Sequence, residues 1–264
     1  MRITTPFGPR FASGRHGRPV AYLLLVIDLH CHILPELDDG ALDLDDSLAM
    51  ARQAAEDGIA VVCATPHIRA DHSVRIEELA ARVAAVQEAL AHRGTDVQIV
   101  PGGELAQTEA DRLSDTQLRL VTLGGEGGWV LLEPAPGPLD DRLLGVVERL
   151  QQRGVGSIIA HPERHAGREF ERRLASLAGA GCLIQWTAQF VAAASAEDLV
   201  LRLAAKGFLH VLGSDAHSSH GGRPVRLSAG FARLASVCPP ARVAWMADEA
   251  PRAILRGERV TLPR

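Results

Sequence analysis

Residues 26–40 of this chain read VIDLHCHILPELDDG, an apolar run that ends in two histidines one residue apart. In a strand, residues i and i+2 point to the same face. His30 and His32 therefore project together, and Cys31 points away. Two imidazoles on one face are ready to chelate a metal, although an isolated pair is equally well read as two solvated histidines at a strand end. The other apolar runs decide between these readings, because most of them also end in groups of the same kind. The segment ATPH offers His67, PGGE offers Glu104 and LLEP offers Glu133. IAHPER offers His161 with Arg164, LGSDAH offers Asp215 and His217, and Asp39 lies in the loop just past the first pair. Five imidazoles and four carboxylates brought to one place could not be buried unneutralised, since desolvating unpaired charge is costly. Divalent cations resolve the conflict. Nitrogen and oxygen donors without thiolate suit Mn, Fe or Zn, and nine donors point to two or three ions bridged by carboxylate and hydroxide.

Convergence requires elements that carry all these ends to one rim. Short runs rich in Val, Ile and Leu predict strands at 24–29, 59–64, 97–100, 129–132, 156–160, 182–186 and 208–212. Helical patterns separate them. Leu44, Leu48, Ala51 and Ala55 share a face before Gly58, and Ile76, Leu79, Val83, Val86 and Leu90 form a longer stripe before Gly94. Further helices are expected near 139–152, 168–180 and 195–206. Alternation of seven strands with helices predicts a closed parallel α/β barrel in a single domain, and such barrels gather chemistry at the C-terminal ends of their strands. Only the sixth strand, CLIQW, ends without a charged or imidazole group.

Composition agrees and excludes other classes. The chain has 264 residues, 47% of them apolar, and a net charge of -4. That is enough core for one α/β barrel and leaves no basic stripe for nucleic acid or an anionic membrane. Four widely spaced cysteines, at 31, 63, 182 and 238, give no disulfide framework and suggest reduced thiols in the cytoplasm. No apolar run is long enough to insert into a membrane. Arg2, Arg10, Arg15 and Arg18 before Ala21–Ile27 faintly imitate a signal peptide, but cleavage there would destroy the histidine motif. Residues 1–24 are expected to be a flexible tail or an over-extended start, and residues 25–264 the barrel.

The segments DLHCHILPELDDG, ATPH, GGE, LLEP, IAHPER and GSDAH resemble the polymerase-and-histidinol-phosphatase (PHP) superfamily. Their likeness is to its bacterial protein-tyrosine phosphatase branch, associated with capsule and exopolysaccharide synthesis, and it extends through APRAILRGE near the C-terminus. This resemblance implies a distorted (β/α)7 barrel and a trinuclear, often manganese, site. It assigns His30, His32, Asp39, His67, Glu104, Glu133, His161, Asp215 and His217 as metal ligands, and Arg164 and Arg223 as the phosphate-holding groups. It also implies a phosphotyrosine substrate on a bacterial tyrosine autokinase. Two stretches depart from the family pattern: Thr187-Ala188-Gln189-Phe190 replaces a frequent Asn-Ala-Gly-Ser, and the stretch 217–222 before Arg223 is one residue longer than in some relatives.

The implied mechanism is attack of a metal-bridging hydroxide on phosphorus, with metals and arginines neutralising the phosphoryl oxygens. A competing signature lies in CATPHIR, residues 63–69, which has the C-x5-R spacing of cysteine-dependent tyrosine phosphatases. Pro66 removes one loop amide and no glycine eases the curvature, so Cys63 reads as an ordinary buried thiol. His72 and His165 are expected to line the substrate cleft; His16, His92, His210 and His220 are expected at the surface. Two alternatives stay open: the same site acting on a small phosphomonoester such as histidinol phosphate or a sugar phosphate, and a non-catalytic metal-bound interaction module. Oligomeric state is not legible.

Overall fold

A computed structural model of the chain describes residues 25–193 and 197–263. The expected tail, residues 1–24, lies outside the described residues.

Among the described residues every strand pairs in parallel. One run has the order β1 (Val26–Cys31), β2 (Ile59–Ala64), β4 (Gln98–Pro101). The other has the order β3 (His67–Ile68), β5 (Glu104–Ala106), β6 (Trp129–Glu133), β7 (Gly156–Ile159), β8 (Leu183–Thr187), β9 (Val211–Gly213). The two runs are one curled sheet. β2 and β3 are a single pass interrupted at Thr65-Pro66, and β4 and β5 a single pass interrupted at Gly102-Gly103. Pro66 lacks the N–H that a continuous ladder needs. Gly102 is demanded by close approach, because a Cβ there would stand 2.7 Å from the Cys63 sulfur. With both breaks bridged, the sheet has the seven passes expected from the sequence. Its ends meet at the rim, where the Asp215 N–H donates to the His30 carbonyl at 2.8 Å and the His32 N–H to the Ala216 carbonyl at 2.9 Å. The result is the expected PHP-type barrel, distorted by the two broken strands.

Helices cover the outside: α1 (Leu44–Glu56), α2 (Leu79–Arg93), α3 (Asp115–Leu120), α4 (Asp141–Gln152), α5 (Phe170–Gly179), α6 (Ala188–Ala192) and α7 (Glu197–Ala205). α1 starts where the Asp43 side chain accepts from the Asp46 N–H at 2.9 Å, with Asp45 and Asp46 favourable in the positive first turn. α4 is capped in the same way by Asp140. These caps fix the helices immediately behind the rim loops. A C-terminal set, α8 (Ser228–Leu234), α9 (Pro240–Ala244) and α10 (Ala250–Leu255), had no periodic signal strong enough to predict it. α9 and α10 are joined by a π-helical turn at Trp245–Glu249, which buries Trp245 and Met246 against β1 and β9. Strand interiors are apolar on both faces, from Ile27 and Leu29 in β1 to Ile158 and Ile159 in β7, and they join one continuous core.

His210 is not the surface residue expected. It is 3% exposed, just before β9, and its Nδ1 accepts the Ile184 N–H at 3.0 Å. Burial, with Arg242 nearby, holds the imidazole down to about 4 and therefore neutral. A single histidine among apolar residues carries no periodic signal that would reveal such a bond. His92 and His220 are exposed as expected, whereas His16 lies outside the described residues.

Candidate metal centre

The strand alternation sends His30 and His32 to the same side, with their Nε2 atoms 3.2 Å apart. Glu104, fully buried at the start of β5, stands at the middle of the cluster. Its Oε2 lies 3.3 Å from Nε2 of both His30 and His32 and 3.0 Å from His67 Nδ1, while its Oε1 lies 2.7 Å from His161 Nε2. Asp215 approaches from the end of β9, with Oδ1 3.5 Å from His30 Nε2. Glu133 closes one side, 3.8 Å from His67 Nδ1. Asp39 closes the other, 3.4 Å from His67 Nε2 and 3.5 Å from His217 Nε2. All nine side chains named from the sequence thus come together at one rim.

Their donor atoms form four overlapping groups, each within 4.8 Å: His32, Asp39, His67 and His217; His30, His32 and Glu104; His30, His161 and Asp215; His67, Glu104 and Glu133. Donors around one ion at roughly 2.1 Å stand up to about 4.2 Å apart, so the spacing suits chelation. Several buried atoms here make no hydrogen bond among the described residues: His67 Nδ1, His161 Nδ1, Glu104 Oε2 and Asp215 Oδ1. Buried polar atoms without partners are rare, and a cation is the natural partner for this donor set. The residues present therefore fit divalent metal.

Electrostatics agree. Burial pulls His32 down, but Asp38 and Glu104 outweigh it and carry the imidazole up to about 10. Burial likewise opposes charge on Glu104, yet His30 and His161 hold it well below the usual carboxylate range. The centre is built to keep positive charge among its carboxylates. Backbone strain marks it too: His161 and Asp215 adopt φ of 29° and 52°, a region that costs non-glycine residues about 1–3 kcal/mol.

The sequence reading missed the residues that orient these side chains. Asp38, beside Asp39, accepts from His32 Nδ1 at 2.8 Å and from the His67 N–H at 2.8 Å. Gln185 Oε1 accepts from His30 Nδ1 at 3.1 Å and from the His161 N–H at 3.2 Å. In both cases the far nitrogen, Nε2, is left to face the cluster. Gln185 is the contribution of β8, the strand that ends without a charged group. Asp46 ties two rim loops together, accepting from the Leu42 N–H and from Ser219 N–H at 2.8 Å. Gly40 is dictated by close approach, since a Cβ there would meet the His32 carbonyl at 2.4 Å. The doubled aspartate in DDG was the available signal for Asp38; nothing local distinguished Gln185.

Arg164 pairs with Asp215, and Arg223 reaches the same carboxylate at 3.2 Å and the Asp215 carbonyl at 2.6 Å. Both also line a pocket of about 340 Å³ beside the cluster. Of the two histidines expected at a cleft, His72 stacks on His67 with ring centroids 5.2 Å apart, whereas His165 is buried on the Gly137 carbonyl at 2.8 Å. Cys63 is fully buried away from the pocket, and burial pushes its thiol up to about 12, far from a nucleophilic thiolate.

A family model described as "Capsular polysaccharide synthesis, CpsB/CapC" matches residues 26–256. The chain is 34% identical over 202 residues to tyrosine-protein phosphatase YwqE of Bacillus subtilis, covering 73% of this chain and 78% of that protein. It is 25% identical over 162 residues to tyrosine-protein phosphatase CpsB of Streptococcus agalactiae, covering 61% of this chain and 66% of that protein. A solved structure from a study of YwqE and of Streptococcus pneumoniae CpsB, described as unique metal-dependent tyrosine phosphatases, superposes with a TM-score of 0.78. It is 27% identical and the match covers 90% of this chain and 96% of that one.

Proposed function

The chain belongs to the CpsB/CapC family of capsular polysaccharide synthesis, and from that premise we propose that it is a metal-dependent tyrosine-protein phosphatase, like its relatives YwqE and CpsB. The observation that carries the reading is the buried Glu104 carboxylate amid the imidazoles of His30, His32, His67 and His161. His30, His32, Asp39, His67, Glu104, Glu133, His161, Asp215 and His217 would hold two or three ions, with Mn²⁺ the ion we propose. Divalent cations bound there supply Lewis acidity to phosphoryl oxygens and acidify water toward neutral pH.

The chain's own residues do the rest. Asp38 and Gln185 engage Nδ1 of His32 and His30, so that each ring turns Nε2 into the cluster, where a bound cation would take the place of a proton. Arg164 and Arg223 line the pocket with planar guanidinium groups, whose N–H groups can donate to phosphoryl oxygens and offset the charge that develops in the transition state. Asp215 holds both arginines at the edge of the cluster, which sets the distance between phosphate and donors. The natural partner we propose is a phosphotyrosine protein, a bacterial tyrosine autokinase of polysaccharide synthesis, met in the cytoplasm. No helix among the described residues is long and apolar enough to cross a membrane.

The deciding experiment loads the purified chain with Mn²⁺ and compares kcat/KM for a phosphotyrosine peptide, histidinol phosphate and a sugar phosphate. Preference for the peptide is expected. Preference for a small phosphomonoester would replace the protein substrate, and absence of turnover on all three would favour a metal-bound interaction module.

A further inference from the structure

Trp186, in β8, is fully buried, and its indole N–H donates to the Phe208 carbonyl at 2.8 Å. Phe170 packs edge-on against one part of it, with centroids 6.4 Å apart at 82°. Phe190, on the short helix α6 that follows β8, stacks on it at 6.1 Å and 28°. The three rings form a column anchored in the core and ending in Phe190, which is half-buried. Phe190 lines the same pocket of about 340 Å³ as Arg164 and Arg223. Two further contacts hold this geometry. The Thr187 N–H at the end of β8 donates to Glu163 Oε1 at 2.9 Å, joining the start of α6 to the turn that carries Arg164. Arg223 is fixed from the third side by the Asp215 carbonyl. A small pocket therefore has two guanidinium groups and one rigidly supported aromatic ring, close to the metal donors.

We propose that Phe190 is the residue that selects aryl over alkyl phosphates, by packing against the ring of the phosphorylated side chain while Arg164 and Arg223 hold its phosphate. The physical basis is that a ring–ring contact in a supported, half-buried site adds attraction beyond area burial, and the underlying Trp186 removes the entropic cost of ordering Phe190. An alkyl phosphate, such as that of a serine or a sugar, finds no matching face there. This inference rests on the phosphatase reading, because it presumes that phosphate sits at the two arginines.

The test uses the metal-loaded full chain and two unreactive probes, phenylphosphonate and methylphosphonate, with dissociation constants measured by calorimetry. In F190A the phenylphosphonate constant is expected to rise about tenfold and the methylphosphonate constant to change less than twofold. Phe190→Tyr should restore ring binding. F190L keeps the apolar bulk and serves if the alanine variant unfolds; it should also lose the aryl preference. kcat/KM for a phosphotyrosine peptide should fall in parallel, mainly through KM. Equal loss for both phosphonates, or no loss for either, in a wild type that binds both would overturn the role of Phe190 alone. A wild type that binds neither probe and turns over no phosphoester would overturn the phosphatase reading, and this inference with it.

Discussion

Two buried histidines of this chain, His32 and His210, show how neighbours outweigh burial. Both lie at the end of, or just before, a barrel strand, and both are at most 3% exposed. Desolvation alone pushes both imidazoles toward the neutral form. At His32 the carboxylates of Asp38 and Glu104 overcome that push and carry it up to about 10. At His210 the charge of Arg242 adds to burial instead of opposing it, and the imidazole falls to about 4. One region is organised to hold positive charge; the other uses the same side chain as a neutral acceptor for the Ile184 backbone. Opposite shifts of one side-chain type thus separate the carboxylate-rich rim from the region around His210, where the imidazole serves the backbone.

The largest effect expected on the rim side is loss of its cations. EDTA should lower phosphatase turnover by about 1,000-fold or more, and metal analysis should give more than one ion per chain. His67→Ala should do comparable damage, with the fold intact by circular dichroism. A chelated protein at full activity would remove the rim's distinction altogether.

The next effect belongs to His210. Its folded pKa lies below the unfolded value of about 6.5, so the unfolded chain takes up the proton first. The stability it contributes is present above pH 6.5 and is lost as pH falls toward 4, by up to about 3 kcal/mol. Urea unfolding between pH 7 and 4 should show a shallower loss in His210→Asn than in the wild type. Equal slopes would deny the buried neutral imidazole its part in acid sensitivity.

A smaller effect tests orientation on the rim. Asp38→Asn keeps the shape but weakens the hold on the His32 N–H, and metal affinity should drop about 10- to 100-fold, read by competition with a chromogenic chelator. Unchanged affinity would mean that His32 keeps its tautomer without Asp38.

The smallest change is expected at Cys63. Cys63→Ser places a hydroxyl where a buried thiol donates to the Pro101 carbonyl, and should cost about 1–2 kcal/mol of stability while turnover persists. A folded, inactive Cys63→Ser protein with EDTA-resistant wild-type activity would transfer the chemistry from rim to thiol.

Much of the fold was legible locally. The period of two along β1 determines that His30 and His32 share a side, and runs of Val, Ile and Leu mark strands buried on both faces. Boundaries were off by up to three residues; β9, for instance, is Val211–Gly213 rather than 208–212. Pro66 and the Gly102-Gly103 pair were visible, but that they interrupt two adjacent strands at matching heights depends on the register of β2 with β4. The C-terminal helices were unread because short segments around a π-helical turn have no sustained 3.6-residue period.

The sequence alone determined which groups stand at the strand ends, because side-chain direction in a strand follows from backbone geometry and needs no partner. Only the tertiary structure decided what each group does to the next. It gave Asp38 to His32 while turning Asp39 toward His67 and His217, set Gln185 against His30, and brought Arg164 and Arg223 onto Asp215. It also decided that one buried histidine is charged and another neutral. Except for Asp38 with His32, and Arg223 with Asp215, these pairs join residues far apart in the chain. Their distances are set by how the sheet curls and closes, and Coulomb energy and hydrogen bonding depend on those distances rather than on local sequence.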